Sequence, residues 1–188
     1  MRLRVMGQCL LTAALVASAA MASSKTVPAG PVTDEDIAKA VRHEVLTYPW
    51  YTLWDDINYR VTNGSVELTG AVSQPYKKDD LGRLVKGIRG VETVSNNLKV
   101  LPLSPMDDRL RLQVARAIYR DPVLSRYAMG VIPSIHIIVD NGHVKLTGAV
   151  MNAMDKQIAG MRAQGAGLSF GPVQNDLTVD NPPAKKKS

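Results

Sequence analysis

Reactive side chains are scarce in this chain. One cysteine, Cys9, stands among 188 residues, and it falls inside an N-terminal stretch with the form of a removable export signal. The processed chain is therefore expected to have neither a disulfide framework nor thiolate chemistry. A lipid anchor on Cys9 is excluded too, because Gln8 instead of a small residue precedes it and the apolar stretch follows it. The three histidines, His43, His136 and His143, do not supply enough converging ligands for a metal centre. Neither a Gly-x-Ser-x-Gly elbow nor a phosphate-cradling loop occurs. The carboxylates at Asp34, Glu35 and Asp36, and at Asp107 and Asp108, stand at predicted helix starts, where the helix dipole accounts for them without acid-base chemistry. No enzyme, cofactor or metal is expected.

Long apolar runs and a strong charge imbalance are missing as well. The stretch from Leu10 to Ala20 is shorter than the roughly 20 residues that a membrane span needs. With Arg2 and Arg4 before it and Ala20-Met21-Ala22 after it, residues 1–22 read as a signal peptide cleaved before Ser23. Export without an integral span is the expectation, followed by a flexible leader over 23–32. The formal charge is +6, from 23 basic and 17 acidic residues. Removing Arg2 and Arg4 lowers the basic count, and Lys185, Lys186 and Lys187 carry most of the remaining excess in a tail at 181–188, predicted to be disordered after Pro182-Pro183. What folds is close to neutral, which excludes a broad nucleic-acid footprint. The basic tail either solubilises the end of the chain or draws it to an anionic surface.

What the chain does have is a duplication. Asn63-Gly64-Ser65-Val66-Glu67-Leu68-Thr69-Gly70-Ala71-Val72 returns as Asn141-Gly142-His143-Val144-Lys145-Leu146-Thr147-Gly148-Ala149-Val150. The spacing exceeds a solenoid period, so it predicts two copies of a small domain, at 33–101 and 105–180, joined through Pro102 and Pro105 with little slack. In each copy Asn-Gly is a two-residue hairpin turn that fixes the strand register. Val61 then pairs with Val66, Tyr59 with Leu68 and Ile57 with Gly70, which puts the apolar residues on one face. In the second copy Ile135, Ile137 and Val139 share a face with Val144, Leu146 and Gly148, while His136, Ile138, His143 and Lys145 point away.

Helices flank each hairpin. The first starts at Thr33 as N-cap, with Val32 and Ile37 as a hydrophobic staple and Ile37, Ala40, Val41 and Val45 as its stripe. Residues 74–88 form the second, with Leu81, Leu84, Val85 and Ile88 inward and Gly90 as a stop. A third strand runs from Val94 to Leu101. In the second copy Ser104 and Pro105 start a helix with Leu110, Val114, Ala117 and Ile118 inward. A longer loop spans Ser125 to Pro133, and Met154, Ile158 and Met161 mark the last helix, which Gly165 and Gly167 end. Asn96 and Asn175 fall on the core side of their strands and are expected to bond backbone near the helix-strand turn. Gly70 and Gly148 are expected to make room for a helix or for the isoleucine opposite. The architecture is α+β: two tandem αββαβ two-layer sandwiches, each a three-stranded sheet covered on one face by two helices.

A helix ending in an x-Pro step, a Gly-Xaa-Val-Xaa-Leu-Thr-Gly-Xaa-Val hairpin, a second helix and a closing Val-Xaa-Asn-Asp/Asn-Leu-Xaa-Val strand resemble the BON domain. Two copies behind a signal peptide are similar to the dual-BON proteins of the osmotically inducible periplasmic family. That resemblance implies a periplasmic, non-catalytic protein that binds phospholipid membranes or other envelope components. An anionic phospholipid surface would meet Trp50, Tyr51 and Trp54 in the first copy and Tyr127, Met129 and Ile132 in the second. Lys77, Lys78, Arg83, Lys86 and Lys185, Lys186 and Lys187 would supply charge. For the aromatic cluster, packing over the sheet edge competes with a place at headgroup level. A rival is a stress-induced chaperone or protein-interaction module that uses the outer sheet faces around Ile138 or the apolar loops. Polysaccharide binding is a third option.

Overall fold

The structure, a computed structural model, describes residues 32–167 and 169–180. The expected signal peptide, nearly all of the leader and the basic tail lie outside them. Helix α1 (Asp34–Thr47) begins as its residues dictate: the Thr33 hydroxyl accepts from the Asp36 amide and the Asp36 carboxylate accepts from the Thr33 amide. Ile37, Val41 and Val45 are buried along it. Strands β1 (Asp56–Thr62) and β2 (Ser65–Val72) pair antiparallel with Thr62 opposite Ser65, Val61 opposite Val66 and Ile57 opposite Gly70, as the turn requires. Asn63 and Gly64 both take positive φ, at 49° and 71°, the conformation that a type I′ turn needs.

Helix α2 (Pro75–Lys86) crosses back over the sheet, and its C-cap is Gly87, with Gly90 in a left-handed turn beyond. The closing strand runs in two pieces, β3 (Thr93–Asn96) and β4 (Lys99–Val100), both parallel to β2. The break has a cause. Asn96 Nδ2 donates to the Lys78 carbonyl at 2.7 Å and its Oδ1 accepts from the Leu98 amide at 3.3 Å, so the side chain occupies the place of a ladder partner. Gly82 on α2 admits it, since a Cβ there would lie 2.8 Å from the amide nitrogen.

The second repeat follows the same plan through α3 (Pro105–Tyr119), β5 (Ile135–Asp140), β6 (His143–Val150), α4 (Ala153–Gln164), β7 (Gln174–Asn175) and β8 (Thr178–Val179). Asn175 donates to the Lys156 carbonyl at 2.7 Å beside Gly160, repeating the Asn96 arrangement. Gly70 and Gly148 are required for a backbone reason and not for the room foreseen: φ is 112° and 103°, and a Cβ would strike the carbonyl oxygens of Asp56 and Ser134 at 2.0 and 2.1 Å. A further parallel is invisible to periodicity. Asp34 accepts from the Asn63 and Gly64 amides at 2.6 and 2.9 Å, and Asp107 from those of Asn141 and Gly142 at 3.0 and 2.8 Å. The first turn of each leading helix thus clamps the hairpin of its own repeat.

The apolar stripe of α4 is turned from its expected position, and that of α2 keeps Leu81, Val85 and Ile88 but not Leu84. Along α4 the buried residues are Asp155, Ala159 and Ala163, while Met154 and Met161 face out and Ile158 is half-buried. Along α2 they are Lys77, Leu81 and Val85, with Leu84 exposed. Each buried set contains an ionisable residue that hydrophobicity alone would place outside.

The repeats lie in one compact unit. Strand β5 is an edge strand, yet Ile135, His136, Ile137, Ile138 and Val139 are all buried. Ile137 donates its amide to the Leu53 carbonyl at 2.8 Å, so the first repeat covers that edge. Leu53 and Trp54 pack into the core of the second repeat, and Ile138 closes a small cluster with Ala71 and Leu101. Ile138 and His136 therefore do not face solvent as the isolated hairpin suggested.

Candidate functional site

Several residues expected at a surface serve the interior. Lys77 is 3% exposed. Its ammonium donates to Asp55 and to the Ser73 hydroxyl at 2.7 and 2.8 Å. Asp55, fully buried, also accepts from the amides and hydroxyls of Thr52 and Ser73 at 2.7–2.9 Å. Every lone pair facing this charge is occupied, which is the condition for burying an ion pair, and no part of Lys77 is left for a lipid headgroup. In the second repeat the equivalent helix position is Asp155. Tyr127 and Arg126 both donate to it, and the Tyr127 oxygen accepts from the Met151 amide at 2.9 Å. Tyr127 is accordingly buried, not a contact residue of the loop.

Of the aromatic cluster, only Trp50 stands in solvent, at 59% exposure. Tyr48 is buried and donates to Asp80 at 2.8 Å; burial first, then that carboxylate, pushes its phenol well above the ordinary range. Trp54 is half-buried against the second core. Tyr51 stacks on His136, with centroids 5.4 Å apart and planes inclined by 23°. Burial, then Asp56 and Asp55, raises the Tyr51 phenol to about 12. His136 Nδ1 meets the Asp55 carbonyl oxygen at 2.7 Å. Desolvation holds the His136 pKa below 6.5, opposed by that hydrogen bond and by Asp56 and Asp55.

Beside this stack lies a cleft of about 670 Å³ between the repeats, lined among others by Arg42, Asp56, Ile132, Lys145 and Asp176. Ile132, half-buried, belongs to it, and so not to the tip of its loop. Lys145 lies 3.3 Å from Asp176 and 4.0 Å from Asp56, so the charges in the cleft are largely matched.

Other predicted positions are exposed. Met129 and Val131 form the solvent-facing tip of the Ser125 to Pro133 loop, after a single 3-10 turn at Ser125–Ala128. Arg83 is exposed and paired with Asp80, Lys86 is exposed, and Lys78 is half-buried. Lys185, Lys186 and Lys187 lie outside the described residues.

The second repeat also carries a surface that sequence reasoning missed. A groove of about 530 Å³ between α3 and α4 is lined by Arg116, Ala117, Arg120, Asp121, Met161 and Arg162, among others. Arg162 is tied to Asp121 at 2.7 Å. Hydrogen bonds from the Val123 amide, outweighing burial, hold Asp121 below the usual carboxylate range, with Arg162 and Leu124 adding to the effect. Arg116 and Arg120 have no carboxylate partner among the described residues. Their signal was available: Arg116 in the last turn of α3 and Arg120, its C-cap, stand four apart and off the stripe of Leu110, Val114 and Ile118. At the other end of α4, Met151 and Met154 are exposed beside Asp155 and its partner Arg126.

Among the described residues no group of three or more His, Cys, Asp or Glu can hold a metal ion, and no helix is long and apolar enough to cross a membrane. No curated protein matches the chain. Solved structures to which the chain is similar include a structural protein of the type III secretion system of Chlamydia trachomatis, CdsD, at 18% identity over 79% of this chain and 94% of that one, and the CdsD C-terminal domain at 14% identity over 79% and 99%, both with a TM-score of 0.28. The model of the BON domain matches residues 33–102 and again 107–181. Two αββαβ units that repeat the same turns, asparagine bonds and clamping aspartates thus agree with a match covering both repeats, and the chain belongs to the BON domain family.

Proposed function

We infer that this protein acts by binding and not by catalysis, and that it attaches to anionic phospholipid at the periplasmic face of an envelope membrane through the helix side of its second repeat. BON domains are associated with phospholipid binding and with envelope and stress proteins, which supports the class of ligand. One observation carries the choice of surface. In the second repeat, cations without a carboxylate partner among the described residues, Arg116 and Arg120, share a groove with exposed Met161, and Met129, Val131, Met151 and Met154 of the same repeat are exposed as well. Apolar side chains enter the headgroup boundary while guanidinium groups meet phosphate, and the two contributions add.

In the first repeat Lys77 is spent internally and Arg83 is paired with Asp80, and the positions of the leading helix that match Arg116 and Arg120 are His43 and Thr47, so the groove's two cations have no counterpart there. The second repeat is therefore the stronger binder. Flotation of the full chain with vesicles of phosphatidylglycerol and phosphatidylcholine tests the reading. Binding to the anionic vesicles only, weakened at least about thirtyfold in Arg116→Glu/Arg120→Glu, is the expected outcome, since each basic residue at the surface contributes about 1 kcal/mol and reversal adds repulsion. Equal flotation of the double variant and the parent overturns the assignment. The chaperone reading loses the face around Ile138, which the first repeat covers; it keeps only the exposed loops.

A further inference from the structure

We propose that the methionines of the second repeat are an oxidation site, and that their conversion to sulfoxides by a two-electron oxidant such as hydrogen peroxide switches off an apolar surface without unfolding the chain. Its consequence for membranes rests on the lipid reading above; the chemistry does not.

The distribution of methionine is the first observation. After Met21 the chain has five, Met106, Met129, Met151, Met154 and Met161, and every one is in the second repeat. All five are exposed, from 57% at Met151 to 86% at Met129. Methionine is among the residues most often fully buried, so a complete set on the surface is not a packing by-product. The second observation is why they are outside. The inward positions of α4 are taken by Asp155, Ala159 and Ala163, and Gly160 admits Asn175. Small residues let the helix sit close to its sheet, and the bulk that a core helix ordinarily turns inward is carried on the opposite side. Met151 and Met154 flank the helix start, Met161 lines the arginine groove, and Met129 tips the loop anchored to Asp155 through Arg126 and Tyr127.

The third observation is the absence of competition. Cys9 is the only cysteine in the sequence and none stands among the described residues. Thioethers are then the most readily oxidised groups of the folded repeats, and exposure sets their order of reaction. In the reaction a sulfur lone pair attacks one oxygen of peroxide. An S–O bond forms, the O–O bond breaks, and the departing hydroxide takes the proton of the transferred oxygen and leaves as water. Sulfur loses two electrons and peroxide gains them. Each product side chain is polar where it had been apolar. Because none of these five methionines is buried, no core contact of the described residues is lost, and the change falls on their surface.

The full chain is treated with hydrogen peroxide, and three readouts follow: peptide masses, far-ultraviolet circular dichroism, and retention on a hydrophobic-interaction column. A variant with leucine at 106, 129, 151, 154 and 161 keeps the apolar surface and removes the five thioethers of the second repeat. The expected result is addition of one oxygen at each of the five sites, an unchanged dichroism spectrum, and early elution of the oxidised parent, with the leucine variant unmoved by peroxide. Methionine sulfoxide reductases restore the parent's retention. Unchanged retention after oxidation, equal loss in the leucine variant, or unfolding of the oxidised parent overturns the proposal. Flotation with phosphatidylglycerol vesicles is run beside it. If the untreated chain floats, oxidation lowers the bound fraction at least fivefold in the parent and leaves the leucine variant bound. If the untreated chain does not float, the lipid reading falls, and retention alone decides the oxidation proposal.

Discussion

Lys77 and Asp55 form a buried ion pair at 2.7 Å inside a ring of hydroxyls and amides. Removing one partner leaves a charge without water or counterion, which costs about 3–5 kcal/mol. Lys77→Met is expected to lose that much in urea denaturation, and Lys77→Met/Asp55→Asn to recover part of it, because the second change removes the orphaned charge. A double variant no better than the single one would show that the hydroxyl ring, and not the pair, sets the cost. His136 makes the companion prediction in pH. Because burial holds its pKa below 6.5, the folded chain takes up this proton at lower pH than the unfolded chain does. Its contribution to stability is complete above pH 6.5 and is lost as pH falls from there toward the folded value. His136→Gln is expected to flatten the decline of the urea midpoint between about pH 7 and 5; parallel curves for the two proteins would exclude the imidazole as its source.

At the scale of the element, the clamps between leading helix and hairpin are the features to test. Asp107→Ala removes the acceptor for two turn amides at a buried site and is expected to cost about 2–3 kcal/mol, whereas Asp34→Ala, half-buried, costs less because water replaces the carboxylate. Equal losses by thermal denaturation would remove burial as the reason. The hairpins themselves were legible in the sequence down to the partner of each residue, since an Asn-Gly turn and a period of two leave one register. The helix caps at Thr33 and Ser104 were legible too. The face of α4 was not, and on α2 and just after it Leu81, Val85 and Ile88 turn inward as expected while Lys77 was missed and Leu84 stands outside. Periodicity weighs hydrophobicity, and it cannot see that Lys77 and Asp155 are satisfied by Asp55 and by Arg126 with Tyr127, residues far off in the chain. Aligning the copies would have helped: Lys77, Leu81 and Val85 fall on Asp155, Ala159 and Ala163. The candidate surface was half legible. Met129 stands out in the sequence as part of an apolar loop, while Arg116 and Arg120 look like any solvated helix face until the fold sets them beside Met161.

For the whole molecule, the contact between repeats decides how it unfolds. Leu53 and Trp54 enter the second core, Ile138 meets Ala71 and Leu101, and Lys99 pairs with Asp140. Contacts of this kind couple the two units into one cooperative transition. Calorimetry is expected to give one peak for the parent and two for Ile138→Glu, which buries a charge opposite Ala71 and Leu101. One peak at an unchanged temperature in the variant would mean that this cluster does not couple the repeats. The bond from Ile137 to the Leu53 carbonyl has a consequence for biosynthesis. The chain emerges N-terminus first, from the ribosome and from an export channel alike, so the first repeat is out before Ile135-His136-Ile137-Ile138-Val139, a run of strong strand formers, appears. The order of the two copies along the gene is thus protective: before that strand recruits a partner from a crowded compartment, its own predecessor is in place.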